Sequence, residues 1–127
     1  MAKKILIIED DEVTLRMLSE ALRAEGLLIS EANDGERGLN LALQENPDLI
    51  LLDVVLPKMD GMTLIGKLRQ NPAGKKIPII LLTNLQLDDA MLKEITSREP
   101  SYYLIKRDWT LDEVVKKVKE RLELSSR

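Results

Sequence analysis

Cysteine and histidine are both missing from the 127 residues. Their absence removes disulfides, thiolate metal sites, thiol nucleophiles, imidazole bases and the usual zinc ligands. Any chemistry here runs on carboxylates, hydroxyls and lysines. Phenylalanine is also absent, and aromatics reach only 2 % against 44 % apolar residues. The core is therefore expected to be Leu, Ile and Val, which suits a parallel sheet buried on both faces. No apolar run has the 18 or so residues of a membrane span. Met1-Ala2-Lys3-Lys4 precedes only four apolar residues before acids begin, too few for a signal peptide. A cytoplasmic location is expected, without membrane insertion. A large charge of one sign is lacking too: the net charge is -3, with acids and bases interspersed. Nothing in that balance calls for direct nucleic-acid contact. The length is close to the commonest size of one domain, so the expectation is a single domain over 1–127 with no appended output module.

What is present is a repeated alternation. Five apolar runs, Ile5 to Ile8, Leu27 to Ile29, Leu49 to Leu52, Ile79 to Leu82 and Tyr102 to Ile105, recur at about 22 to 30 residues, the length of a strand plus a crossover helix. Between them lie segments of helical period, such as Leu15, Leu18, Ala21 and Leu22 on one stripe, with Gly26 as the expected C-terminal cap. The last helix is predicted from Leu111 to about Leu122, with Thr110 and Glu113 as a capping box and Trp109 stapled onto Val114. Pro78 opens the fourth run, where a missing ladder donor is tolerated. Such alternation implies an α/β fold, a parallel sheet covered on both faces whose right-handed crossovers bring every strand's C-terminal end to one edge. Ligands bind at that edge.

Four runs end in groups capable of chemistry: Glu9-Asp10-Asp11, Asp53, Thr83 and Lys106. Taken singly, polar strand ends are ordinary, since Asp and Thr cap the helices that follow. Taken together, three or four carboxylates on one edge repel one another and destabilise a fold unless a cation neutralises them. Oxygen ligands without His or Cys suit a hard ion. Few protein ligands, completed by waters and a phosphate, favour Mg²⁺, and the loop spacing of a Ca²⁺ site is absent.

Three stretches and a lysine carry a family resemblance. They are Ile5-Leu6-Ile7-Ile8-Glu9-Asp10-Asp11-Glu12, Leu51-Leu52-Asp53-Val54-Val55-Leu56-Pro57-Lys58-Met59-Asp60-Gly61-Met62, Leu81-Leu82-Thr83, and Lys106. The chain resembles a response-regulator receiver domain of two-component signalling, of the single-domain chemotaxis-like kind, over nearly its whole length. The resemblance implies a doubly wound, flavodoxin-like (βα)5 fold with five parallel strands in the order 2-1-3-4-5. It implies that Asp53 is the phosphoacceptor, a carboxylate nucleophile forming an acyl phosphate. With no histidine in the chain, the donor has to be a partner histidine kinase or phosphotransfer protein, as in a phosphorelay, or a small acyl phosphate.

Mg²⁺ is the implied cofactor, held by Glu9 through water, by Asp10 and Asp53, and by the backbone carbonyl of Val55. Asp11 is the alternative to Asp10, with a competing use as N-cap of the first helix. Lys106 and Mg²⁺ would supply the positioned positive charge that phosphoryl transfer needs. Thr83 is implied to contact the phosphoryl group and Tyr103 to rotate inward, the two forming the switch read by an output protein not identified from sequence. Lys116, Lys117 and Lys119 read as a solvated helix face, although the family's usual output face includes the last helix. The resemblance admits a phosphorylation-dependent dimer. The implied protein is a stand-alone response regulator, not an enzyme beyond its own phosphoryl transfer and slow autodephosphorylation.

Arg107 stands where many receivers have proline, so the cis peptide that proline makes cheap is not expected there. Asn84 replaces a very small residue after Thr83, and Glu99-Pro100-Ser101 replaces a small pair before the last strand. These departures keep alive a receiver-like scaffold that binds partners without phosphorylation. A phosphatase that also forms an aspartyl phosphate needs a second Asp two residues after the first, and Val55 is there.

In receivers the residues two after the phosphoacceptor and two after the switch threonine flank the phosphoryl group. The resemblance puts Val55 and Leu85 there, whose side chains cannot hydrogen-bond an attacking water and should exclude it. The acyl phosphate is predicted to hydrolyse slowly for this family. Decay of the purified phosphoprotein in Mg²⁺ checks this: Val55→Asn and Leu85→Glu should shorten its lifetime, and equal decay rates would refute apolar shielding.

Overall fold

A computed structural model of the chain describes residues 2–54, 56–83, 102–105 and 109–125, with backbone alone at Thr83, at 102–105 and at 124–125. Five strands, β1 (Lys4–Ile8), β2 (Leu28–Ala32), β3 (Leu49–Leu52), β4 (Ile79–Thr83) and β5 (Tyr102–Ile105), pair in parallel in the order β2-β1-β3-β4-β5. The described helices are α1 (Glu12–Arg23), α2 (Gly35–Glu45), α3 (Gly61–Gln70), followed by a 3-10 turn at Pro72–Gly74, and α4 (Leu111–Ser125). This is the doubly wound, flavodoxin-like order expected from sequence. The crossover between β4 and β5, with Asn84, Leu85 and Glu99-Pro100-Ser101, lies outside the described residues.

Successive strand residues point to opposite faces, so the apolar runs feed two cores. Leu6, Ile8, Ile50, Leu52, Ile79 and Leu81 pack beneath α2 and α3 through Ala42, Leu64, Ile65 and Leu68. Ile5, Ile7, Leu49, Leu51, Ile80 and Leu82 pack beneath α1 and α4 through Leu18, Leu22, Val114, Val118 and Leu122. β1 and β3 are buried at every apolar position, which is why they read as unbroken hydrophobic runs.

Two sequence expectations are corrected. The second strand covers Leu28–Ala32, later than the predicted Leu27 to Ile29. It is an edge strand, half solvated, so polar Ser30 and Glu31 continue it and hydrophobicity alone marks its end too early. The first helix stops at Arg23 with Ala24 as its cap, two residues before Gly26. Gly26 takes φ +84 in the turn that leads out, its N–H donating to the Arg23 carbonyl at 2.9 Å.

The last helix starts as read. The Glu113 N–H donates to Thr110 Oγ1 at 3.2 Å, the hydroxyl donates to Glu113 Oε1 at 3.2 Å, and Trp109 packs in the cluster that holds Val114. It extends to Ser125, a turn beyond the predicted Leu122. Lys119 is tied to Glu25 at 2.8 Å, joining α4 to the turn that follows α1.

Ile50, fully buried in the central strand β3, has no room to lose. Ile50→Ala is expected to cost about 2–5 kcal/mol of unfolding free energy with no change in the denaturant slope, as measured by urea unfolding.

Candidate functional site: an acidic cluster at the strand ends

The site begins where β1 and β3 end. Ile8 is level with Leu52 in the parallel register, and the ladder runs one step further, since the Asp53 N–H donates to the Ile8 carbonyl at 3.0 Å. On the other flank the Glu9 N–H donates to the Ala32 carbonyl at 3.0 Å. Glu9 and Asp53 therefore leave adjacent strands side by side. One carboxylate oxygen from each of Glu9, Asp10 and Asp53 lies within 4.8 Å of the others.

Asp11 goes elsewhere. It caps α1, its side chain accepting the Thr14 N–H at 3.0 Å and also the Thr14 hydroxyl. These donors, the hydroxyl foremost, hold its carboxyl below the ordinary aspartate value. Of the two candidates left open by sequence, Asp10 joins the cluster and Asp11 serves the helix. Asp60 and Asp34 likewise cap α3 and α2, accepting the N–H groups of Thr63 and Arg37 at 2.8 Å each.

Glu9 bears the electrostatic strain. It is only 8 % exposed, and its carboxyl is pushed up from the ordinary 4.5 to about 8. Burial is the largest cause, followed by the negative charge of Asp53 and a hydrogen bond with it, against a smaller lowering by the Asp11 N–H, which donates to Glu9 Oε1 at 3.2 Å. A buried acid held against two others prefers to stay protonated unless a cation arrives. The donors are all carboxylate oxygens, one mostly buried and two more accessible, and they fit a hard divalent cation with open positions for water.

Val55, Lys106 and Arg107 lie outside the described residues. Thr83 ends β4 and Tyr103 lies within β5, opposite Leu81 in the register, while their side chains are outside what the structure describes. Asp34 and Gly35, which sequence reading does not single out, meet the loop that follows Asp53. An Asp-Gly pair ahead of a helix is the available signal.

A parallel five-stranded sheet in this order, with three carboxylates gathered at its C-terminal edge, defines a doubly wound α/β module with a candidate cation site at its switch point. The chain belongs to the response regulator receiver domain family, whose model matches residues 5–119. It is 42 % identical over 85 residues, 67 % of this chain, to the response regulator PleD of Caulobacter vibrioides, and it covers 19 % of that protein. The chain spans about half or less of the length of the first curated relatives it matches. Among solved structures it resembles a receiver domain protein of Methanospirillum hungatei at TM-score 0.90 and 25 % identity, covering 99 % of this chain and 98 % of that one. It also resembles the receiver domain of sensor histidine kinase PA1611 of Pseudomonas aeruginosa, which was crystallised with a magnesium ion coordinated in its active-site cleft, at TM-score 0.85 and 25 % identity, covering 97 % and 99 %. Among the described residues, no helix is long and apolar enough to cross a membrane.

The raised Glu9 value sets a pH dependence for the metal-free protein. Between the unfolded value of 4.5 and the folded value of about 8, the folded state holds the extra proton. This group's contribution is therefore fully present below the unfolded value and is lost as pH rises through the folded one. Melting temperature without divalent cations should fall between about pH 5 and pH 8 by this route. Asp53→Asn, which removes the neighbouring charge, should flatten the fall and stabilise the protein at pH 8. An equally steep fall in the mutant would refute the coupling.

Proposed function

We propose that this chain accepts a phosphoryl group on Asp53, with Mg²⁺ bound, from the phosphohistidine of a partner kinase or phosphotransfer protein. The reading is carried by the convergence of Glu9, Asp10 and Asp53 within 4.8 Å, with Glu9 pushed up to about 8. Such a cluster is costly as a structural element and useful as a cation site.

An Asp53 carboxylate oxygen attacks phosphorus as the nitrogen–phosphorus bond of the donor breaks, leaving an acyl phosphate on the chain and a neutral imidazole on the donor. Glu9, Asp10, Asp53 and the Val55 carbonyl would hold Mg²⁺, which when bound neutralises the acids and the charge spread over the phosphoryl oxygens. Lys106, the residue after β5 in the chain, would supply a second positive charge, as the resemblance to receivers implies. The Thr83 hydroxyl then takes a phosphoryl oxygen, and Tyr103 follows it inward to alter the surface read by the output protein. The domain works as a switch, with no substrate turnover beyond its own phosphorylation and dephosphorylation. Action as a stand-alone regulator in the cytoplasm, and a phosphorylation-dependent dimer, belong to the same reading.

The test is labelling with acetyl phosphate, a small acyl phosphate. Wild type should be labelled only with Mg²⁺, and Asp53→Asn should remain folded and unlabelled. Millimolar Mg²⁺ should raise the melting temperature, and Asp10→Ala should weaken that rise. Full labelling of Asp53→Asn, or a melting temperature indifferent to Mg²⁺, would overturn the assignment. Failure of wild type to label would favour a scaffold that binds partners without phosphorylation.

A further inference from the structure

The loop that carries the chain from Asp53 into α3 is held at two places by glycine backbone. At its far end, the Gly61 N–H donates to the Val54 carbonyl at 2.8 Å, and a Cβ on Gly61 would stand 2.7 Å from the Asp53 carbonyl oxygen. Midway, the loop leans on the first residue of α2. The Gly35 N–H donates to the Pro57 carbonyl at 3.3 Å, and a Cβ on Gly35 would stand 1.8 Å from the Met59 carbonyl oxygen and 2.7 Å from its carbon. Both obstacles are backbone atoms, so no rotamer change could make room. The Met59 carbonyl would have to retreat by about 1.6 Å, from 1.8 to 3.4 Å, to reach ordinary contact.

The leaning segment is itself tightly turned. The Met59 N–H donates to the Pro57 carbonyl at 2.7 Å, closing a three-residue turn around Lys58 at φ +67, a left-handed conformation that a lysine rarely adopts. The Lys58 ammonium lies 3.7 Å from Asp34 Oδ2, while Asp34 caps α2 with its other oxygen. Asp34 and Gly35 thus meet the turn with an ion pair, a hydrogen bond and a bare Cα. A strained turn persists where its surroundings over-determine it.

We propose that Gly35 is a positioning residue for the phosphoacceptor loop: lacking a side chain, it lets Pro57 to Met59 seat against α2, and that seat sets where the backbone after Asp53 lies. The inference rests on the Mg²⁺ reading above, in which the Val55 carbonyl, between the two anchored points, is a ligand. Mg²⁺ demands near-ideal octahedral geometry, so displacement of a ligating backbone weakens binding more than it weakens the fold.

The experiment titrates MgCl2 into the purified chain, following the amide resonances of Asp53 and Gly61, with melting temperatures measured in the absence of metal. Gly35→Ala is expected to raise the Mg²⁺ dissociation constant about tenfold, in the range seen for residues that orient metal ligands. Gly74→Ala is the control for stability. Its Cβ would stand 2.4 Å from the Leu68 carbonyl oxygen, another backbone clash, beyond the other end of α3. It should lower the melting temperature and leave Mg²⁺ affinity unchanged. Asp34→Ala, which removes the ion pair and the cap without adding bulk, should give a smaller rise in the dissociation constant and decides the matter if Gly35→Ala does not fold. Wild-type affinity in Gly35→Ala, or in Asp34→Ala when that variant alone folds, overturns the proposal. So does equal weakening by Gly74→Ala. A wild type with no Mg²⁺ response overturns the Mg²⁺ reading itself, and the proposal with it.

Discussion

The pairing of β1 with β3 is the constraint on which the rest of the molecule depends. The chain order places β2 on one side of β1 and β3 on the other, so the crossovers diverge from this pair and leave a crevice at its C-terminal edge. The register Ile8↔Leu52 then brings Glu9 and Asp53 out at the same level. No local preference would put these acids together. They are held there by two aliphatic cores whose strand residues are almost wholly buried, and each such side chain contributes on the order of 2 kcal/mol by leaving water. The repulsion among three carboxylates is tolerated only against that sum.

Acidic residues near the crevice divide into two kinds by the donors they meet. Asp11, Asp34 and Asp60 stand one residue before a helix and accept free backbone N–H groups, a use that holds the helix ends whatever else is bound. Glu9 accepts the Asp11 N–H but is buried and faces the other two acids of the cluster, so burial and charge drive it towards its neutral form. The difference lies in orientation, since Asp10 and Asp11 are adjacent in the chain and end in opposite roles. The acidic cluster arises where acids are turned away from the helices that could have satisfied them.

The loop after Asp53 shows the same division of labour in the backbone. Its Val54 and Pro57 carbonyls accept the N–H groups of Gly61 and Gly35, and Lys58, left-handed in the turn, is tied to Asp34. The helix that Asp34 caps therefore stands in contact with the segment leading from Asp53, and α2 takes part in shaping the crevice although, among the described residues, it contributes no acid to the cluster.

Much of this is legible in the linear chain. The five apolar runs locate the strands because strands buried on both faces carry no polar interruption, and β3 and β5 begin and end where those runs do. The motif around Asp53 names the candidate site because residue type and spacing are carried by the chain itself. β2 reads short because an edge strand continues through Ser30 and Glu31, where hydrophobicity fails as a marker. The end of α1 reads late because Gly26 marks the turn after the helix. The choice between Asp10 and Asp11 is beyond a linear reading, since it depends on which carboxylate the first turn of α1 captures. The seating of Met59 on Gly35 is equally hidden, as it joins two crossovers that never pair. Sequence by itself determined the alternation, the aliphatic core and the set of chemical groups, because these follow from periodicity and composition. Only the tertiary structure decided which acids meet, how far burial shifts Glu9 and what holds the loop, because each depends on distances between segments remote in the chain.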